Sequence, residues 1–234
     1  MPSNTLILPQ LTATLSSPLS SQLLLAAGGR APADIWFSQV SQGRRLWAID
    51  HGVDVCQKNQ LPPERLIGDA DSASPAAWEW AAAAGIPVDR FPPAKDFTDT
   101  QLALQKAAEL FPDAFLLLTG AFGGRFDHTL STVLSLSGTP LHGCLCDEQE
   151  VLFPLKEKET ITLRLTRAPK AVSLLPLTSE CQGVTISGVR WPLHDVVLRQ
   201  LEPYAVSNEL SGGATITVKV HTGILGVYLF WETA

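Results

Sequence analysis

The chain has 234 residues, of which 45% are hydrophobic and 17% charged, and a formal net charge of −6. Such a length suits two small domains and such a composition a packed globular protein, while an acidic balance without a basic cluster argues against nucleic acid as a partner. The first residues carry no basic segment and no long apolar core, so no signal peptide is expected. No apolar run reaches the ~20 residues of a membrane helix, so a cytoplasmic protein without a membrane partner is expected.

Residues 1–20 carry Pro and Ser and read as a polar N-terminal extension. From residue 21 a regular alternation begins. The run "QLLLAAGG" ends in glycines and reads as a buried strand, "PADIWFSQVS" has helical spacing, and "RRLWAIDHG" is a second strand ending at Asp50. "PERLIGDADS" supplies a third strand; Ser74 then caps a helix with Pro75 at its first position, running to Gly85. "IPVDRFP" is a short fourth strand, and Asp96 or Thr98 can cap the helix "DTQLALQKAAELF", which Pro112 stops. "AFLLLTG" is the most strongly apolar strand, followed by the helix "RFDHTLSTVLSLS" and the strand "HGCLCDE". Strand and helix alternating in this way predict a parallel sheet covered by helices over 21–150, with ligands off the carboxyl ends of its strands.

Over 151–234 the pattern changes. "ETITLRLTR", "AVSLLPL", "GVTISGVRW", "ATITVKVH" and "ILGVYLFW" are β-rich and separated by Gly, Pro, Asn and Ser. They predict an antiparallel β-sandwich domain. The fold class expected is therefore α/β plus all-β. The cysteines Cys56, Cys144, Cys146 and Cys181 fit no zinc spacing and read as reduced and buried, Cys144 and Cys146 on one face of a strand.

Chemistry concentrates at the predicted strand ends. Asp50, Asp69 and Asp71 follow strands, and "AKDFTDTQ" adds Lys95, Asp96 and Asp99. One such Asp is ordinarily a turn former. Several gathered at one edge repel unless a cation sits among them, and Mg²⁺, held by one or two carboxylates together with substrate phosphates, is the natural one. "TGAFGGRFDHT" places Gly120, Gly123 and Gly124 between a strand and a helix start, an arrangement suited to a phosphate, with Arg125 as a forked donor. It is neither the Walker loop nor the dinucleotide fingerprint. Asp127 is suited to capping the helix, to reaching the metal through water or to holding a nucleotide hydroxyl. In the β domain, Ser207 and Asn208 of "YAVSNELSGG" are neutral hydrogen-bonding residues, and Trp191 reads as core rather than as a stacking platform.

Together, "GDADS", "KDFTD", "GAFGGRFDH", "VSLLPL", "GVRWPL" and "VSNEL" resemble, in order and approximate spacing, the strings of the thiamine pyrophosphokinase family over residues 22–231. The resemblance implies an α/β domain and a β-sandwich, a homodimer with each active site shared between subunits, and Mg²⁺-dependent transfer of pyrophosphate from ATP to the hydroxyl of thiamine, releasing AMP. By motif it implies Asp69, Asp71 and Asp99 at the metal and Asp71, Asp99 and Lys95 in catalysis. It implies Asp50, Asp96, Thr98, Gly120, Gly123, Gly124, Arg125 and Asp127 around ATP, and Ser207, Asn208 and Trp191 around thiamine. His51 stands where the family usually has a small residue. Two alternatives stay open at this level: a pyrophosphokinase acting on a hydroxymethyl-dihydropterin, and a nucleotide- or thiamine-binding protein without catalysis.

Overall fold

A computed structural model of the chain describes residues 3–68, 73–90 and 96–232. The chain divides into two compact units, Ser21–Asp147 and a second formed by Met1–Ser20 with Glu148–Ala234. The second unit begins with a hairpin of strands β1 (Thr5–Leu8) and β2 (Leu11–Leu15), paired antiparallel with Leu8 opposite Leu11. Leu6, Leu8, Leu11 and Ala13 are buried. A strand turns every second side chain to the same face, so one face of the hairpin joins the core.

The Ser21–Asp147 unit runs β3 (Ser21–Ala26), α1 (Asp34–Ser41), β4 (Arg45–Ile49), α2 (Gly52–Lys58), β5 (Arg65–Ile67), α3 (Pro75–Ala83), β6 (Val88–Asp89), α4 (Asp99–Leu110), β7 (Ala114–Thr119), α5 (Phe126–Gly138) and β8 (His142–Cys146). Its strands lie in the order β8-β7-β3-β4-β5-β6, and the paired strands run parallel. All six residues of β7 are buried, as are the last four of β3. A parallel strand covered on both faces has no solvent side to turn polar residues toward, so its sequence is continuously apolar. Helices contact in pairs, α2 with α3 and α4 with α5. Ser74 caps α3, its Oγ accepting from the Ala77 N–H, with Pro75 at the first helical position. Thr98 caps α4 in a reciprocal capping box with Gln101. The helix α2, which the sequence pattern did not predict, starts directly after Asp50.

The remaining strands are β9 (Glu150–Leu155), β10 (Thr160–Leu165), β11 (Ala171–Pro176), β12 (Glu180–Ser187), β13 (Leu193–Arg199), β14 (Thr215–Lys219) and β15 (Leu225–Phe230). One antiparallel sheet has the order β1-β2-β10-β14-β12-β13, and β15 pairs antiparallel with both β11 and β9. The expectation that residues 1–20 form a separate extension is corrected. β2 pairs with β10 across five residue pairs, from Ile161–Leu15 to Leu165–Leu11, so the N-terminal hairpin is an integral part of this sheet. The sequence signal was the alternation of Leu and Thr around Pro9-Gln10, masked by the adjacent Leu6-Ile7-Leu8 run. Among the described residues no helix is long and apolar enough to cross a membrane. Cys56, Cys144, Cys146 and Cys181 are free thiols, all buried.

Candidate active site

The first strand of the parallel sheet, β3, lies between β4 and β7. The chain first builds outward from β3 through β4, β5 and β6, then returns to add β7 and β8 on its other side. The gap between β3 and β7 is thus the switch point where open parallel sheets bind ligands. Two loops meet there. The Ala27 N–H donates to Thr119 O at 2.8 Å, Gly29 N–H to Gly120 O at 2.7 Å and Arg30 N–H to Phe122 O at 2.7 Å.

The three glycines of the β7–α5 loop have φ of +65° (Gly120), +73° (Gly123) and +67° (Gly124), a region that L side chains avoid. They differ in their surroundings. A Cβ on Gly120 would lie 2.1 Å from Ala27 O, and one on Gly123 2.8 Å from Arg30 Cβ, whereas one on Gly124 would meet nothing within 4 Å among the described residues. Gly120 and Gly123 therefore let the two loops close on each other, and Gly124 is the glycine with room beside it. Arg125 and Asp127 open α5 and form a forked pair, Nε to Oδ1 at 3.1 Å and Nη2 to Oδ2 at 2.6 Å, both well exposed. The hydrogen bond from Arg125 holds the Asp127 carboxyl below its ordinary range.

Along the same sheet edge, Asp50 follows β4 with φ +46°. Its N–H donates to Ile67 O at 3.0 Å and its carbonyl accepts from Val53 N–H at 3.1 Å, which turns the chain into α2. Its carboxylate sits against Gly68, where a Cβ would lie 1.9 Å from Asp50 Oδ1. Gly52 lets α2 close on β3, since a Cβ there would lie 1.8 Å from Ala26 O. His51 Nδ1 lies 3.5 Å from Asp54 Oδ2, and the Asp54 carboxylate accepts from Ser74 N–H at 3.3 and 3.4 Å. The contacts of Asp54 went unseen in the sequence because nothing local marks a carboxylate that serves a distant backbone.

Asp69, Asp71 and Lys95 lie outside the described residues. Asp96 and Thr98 are exposed, and Thr98 Oγ1 accepts from Gln101 N–H at 3.2 Å as the helix cap; Asp99 occupies the first turn of α4. Among the described residues no group of three or more His, Cys, Asp or Glu forms a metal cluster. The expected set, Asp69, Asp71 and Asp99, offers only hard carboxylate oxygens and so suits Mg²⁺ rather than a soft metal. Between them, α4 and α5 enclose an apolar groove of about 860 Å³ lined by Phe97, Leu104, Leu130 and Leu134, with Asp127 also on its wall.

In the β unit a pocket of about 290 Å³ is lined by Val172, Leu174, Ile186, Trp191, Tyr204 and Asn208, among others. The reading of Trp191 as core is corrected: it is 53% exposed. It stays out of the core because its backbone is fastened elsewhere. Asn208 Nδ2 donates to Trp191 O at 2.7 Å, and Asn208 Oδ1 accepts from Trp191 N–H at 3.1 Å and from Glu209 N–H at 2.9 Å. Arg190, paired with Glu209 at 3.0 Å, lies over the Trp191 ring at 4.8 Å. Ser207 adopts φ +57°, its N–H donating to the buried Ser173 Oγ at 3.0 Å, and it is not one of the lining residues. Tyr204, which the sequence did not single out, adds a second exposed aromatic ring to the wall.

Residues 38–142 match the family description "Thiamin pyrophosphokinase, catalytic domain", and residues 153–225 match "Thiamin pyrophosphokinase, vitamin B1 binding domain". These two matches define a class: a kinase that joins a catalytic domain to a separate vitamin-binding domain. The chain is 28% identical over 171 residues to thiamine pyrophosphokinase of Bacillus subtilis, spanning 70% of this chain and 78% of that one. The crystal structure of thiamine pyrophosphokinase from Bacillus subtilis shares the fold, with a TM-score of 0.79 at 24% identity, covering 91% of this chain and 100% of that one. A thiamin pyrophosphokinase family protein from Enterococcus faecalis is similar at a TM-score of 0.77 and 25% identity, covering 91% and 100%. The chain belongs to the thiamin pyrophosphokinase family. It is an enzyme of that activity, moving pyrophosphate from ATP to thiamine to give thiamine diphosphate and AMP.

Proposed function

We propose that the chemistry runs at the carboxyl edge of the parallel sheet, with ATP across the β3–β7 switch point and Asp69, Asp71 and Asp99 holding Mg²⁺. The observation that carries this reading is the convergence there of the braced glycine loop, the Arg125–Asp127 pair and the Asp50 carboxylate that abuts Gly68, the residue before Asp69. When bound, Mg²⁺ neutralises charge on the β- and γ-phosphates.

The protein's part is to align the thiamine hydroxyl with the β-phosphorus and to stabilise charge on the phosphate oxygens. Lys95 and Arg125 supply positive charge. The Gly120–Gly124 loop offers backbone donors, with Gly124 the point of closest possible approach. Asp96 and Thr98 border ATP. Asp71 or Asp99 would take the hydroxyl proton as the bond to phosphorus forms.

The β unit, its antiparallel sheets stacked as a sandwich, takes thiamine in the Trp191–Tyr204 pocket. An aromatic wall of this size fits a small flat ring system. Asn208 acts by holding Trp191, and Ser207 stands in the chain between the lining residues Val206 and Asn208. The enzyme works as a homodimer in which this pocket serves the partner's α/β unit. Four buried free thiols accord with the reducing cytoplasm.

The test is direct. Purified protein with ATP, Mg²⁺ and thiamine should form AMP and thiamine diphosphate one-for-one, and hydroxymethyl-dihydropterin in place of thiamine should give none. Product from the pterin but not from thiamine would overturn the reading.

A further inference from the structure

We propose that Arg30 is a further phosphate-binding residue of the nucleotide site, held in position by Asp147; the proposal rests on the reading that ATP lies at the β3–β7 switch point. Arg30 belongs to no motif, yet it stands where the two switch-point loops touch. Its N–H donates to Phe122 O at 2.7 Å, and its Cβ would lie 2.8 Å from a Cβ on Gly123. The side chain thus leaves the backbone directly against the glycine loop.

Its guanidinium is anchored at the far end. Nε (3.1 Å) and Nη2 (2.6 Å) both donate to Oδ2 of Asp147, the residue after β8. The Asp147 side chain is fully buried, while that of Arg30 is 28% exposed. A buried carboxylate is costly unless paired, so Asp147 strongly favours the conformation in which Arg30 reaches it. To reach β8 from the end of β3, Arg30 must pass the end of β7, which lies between them. A planar cation is thereby held beside the glycine loop.

Such pre-orientation suits phosphate recognition. A guanidinium presents five donors in a rigid fork and loses little freedom on binding when already fixed. Arg125 contrasts with it: its side chain is 74% exposed and pairs with a neighbour two residues away. Each of the two switch-point loops therefore presents an arginine paired with an aspartate, Arg125 solvated and Arg30 anchored. Asp147 also tempers the charge that Arg30 presents, so neutralising Asp147 should strengthen the attraction for a polyphosphate.

The experiment compares four proteins by calorimetric Kd for Mg-ATP, by KM for each substrate and by melting temperature. Arg30→Gln alone takes the guanidinium away from a buried carboxylate, so it is combined with Asp147→Asn, which restores a neutral pair. This double variant is expected to melt near the wild type, to bind ATP about tenfold or more weakly, and to keep its KM for thiamine within about twofold. Arg30→Lys keeps the ion pair but loses the fork, and should weaken ATP by a smaller factor. Asp147→Asn alone should bind ATP at least as tightly as the wild type. A double variant and an Arg30→Lys variant that both bind ATP normally would reduce Arg30 to a buckle between loops and overturn the proposal. A wild type that binds no Mg-ATP would overturn the placement of ATP itself, and this inference with it.

Discussion

The carboxylate of Asp50 occupies the space that a side chain at Gly68 would need: a Cβ there would lie 1.9 Å from Asp50 Oδ1. The two residues follow neighbouring parallel strands, and Gly68, at φ +146°, leads straight into Asp69. Gly68→Ala should therefore displace Asp50 and strain the backbone. We expect roughly a tenfold to hundredfold loss in kcat, the scale of an ångström-sized misplacement, and a stability cost of about 1–3 kcal/mol. Steady-state kinetics and thermal melting check it, and wild-type turnover would show that the position of Asp50 does not matter to the chemistry.

Asp71→Asn should fold and melt as the wild type does but lose roughly 10²-fold or more in kcat, the size of one lost electrostatic stabiliser. Measurement at saturating ATP and ordinary Mg²⁺ is required. Near-normal turnover would remove Asp71 from the catalytic set.

If each active site is shared between subunits, two inactive variants should rescue each other. Asp71→Asn and Trp191→Ala, mixed and allowed to exchange subunits, form heterodimers carrying one intact site. Random reassortment gives about a quarter of wild-type activity. No recovery after proven exchange would place the whole site within one chain.

Asn208→Ala removes all three side-chain hydrogen bonds that tie Trp191 and Glu209 to it. The expected result is a raised KM for thiamine, by about tenfold, with the KM for ATP little changed. Tryptophan emission should lose its response to thiamine. An equal rise in both KM values would point to general loosening of the β unit instead.

Burial pushes the Cys56 thiol up to about 12, and raises those of Cys146 and Cys181 for the same reason. In the unfolded chain these thiols ionise near pH 8.5, so above that pH the unfolded state holds fewer protons than the native state. Stability is then fully present below pH ~8.5 and falls as pH rises, at about 1.4 kcal/mol per pH unit for each such thiol. Urea midpoints measured between pH 8 and 10 should decline, and Cys56→Ala should lessen the decline. Midpoints independent of pH in the wild type would contradict the burial of these groups.

Most elements of the α/β unit were legible because their signals are local. The runs in β3 and β7 are continuously apolar because both faces are covered, and Ser74-Pro75 and Thr98–Gln101 mark helix starts by chemistry within four residues. Helix α2 escaped because its start depends on Asp50 at positive φ and on Gly52 pressing against Ala26, a contact with another strand. The candidate acids were visible as residue types after strands.

What the sequence determined alone is thus the alternation of elements, the residue types of the site and, through its strings, the family. Only the tertiary structure decided that the β1–β2 hairpin completes a sheet with β10, that Gly120 and Gly123 close two loops together, that Asn208 holds an exposed Trp191, and that Arg30 reaches a buried Asp147 across more than a hundred residues of chain. The reason is physical: periodicity and capping are written within a few neighbouring residues, whereas partners brought together by chain return leave no mark at either position.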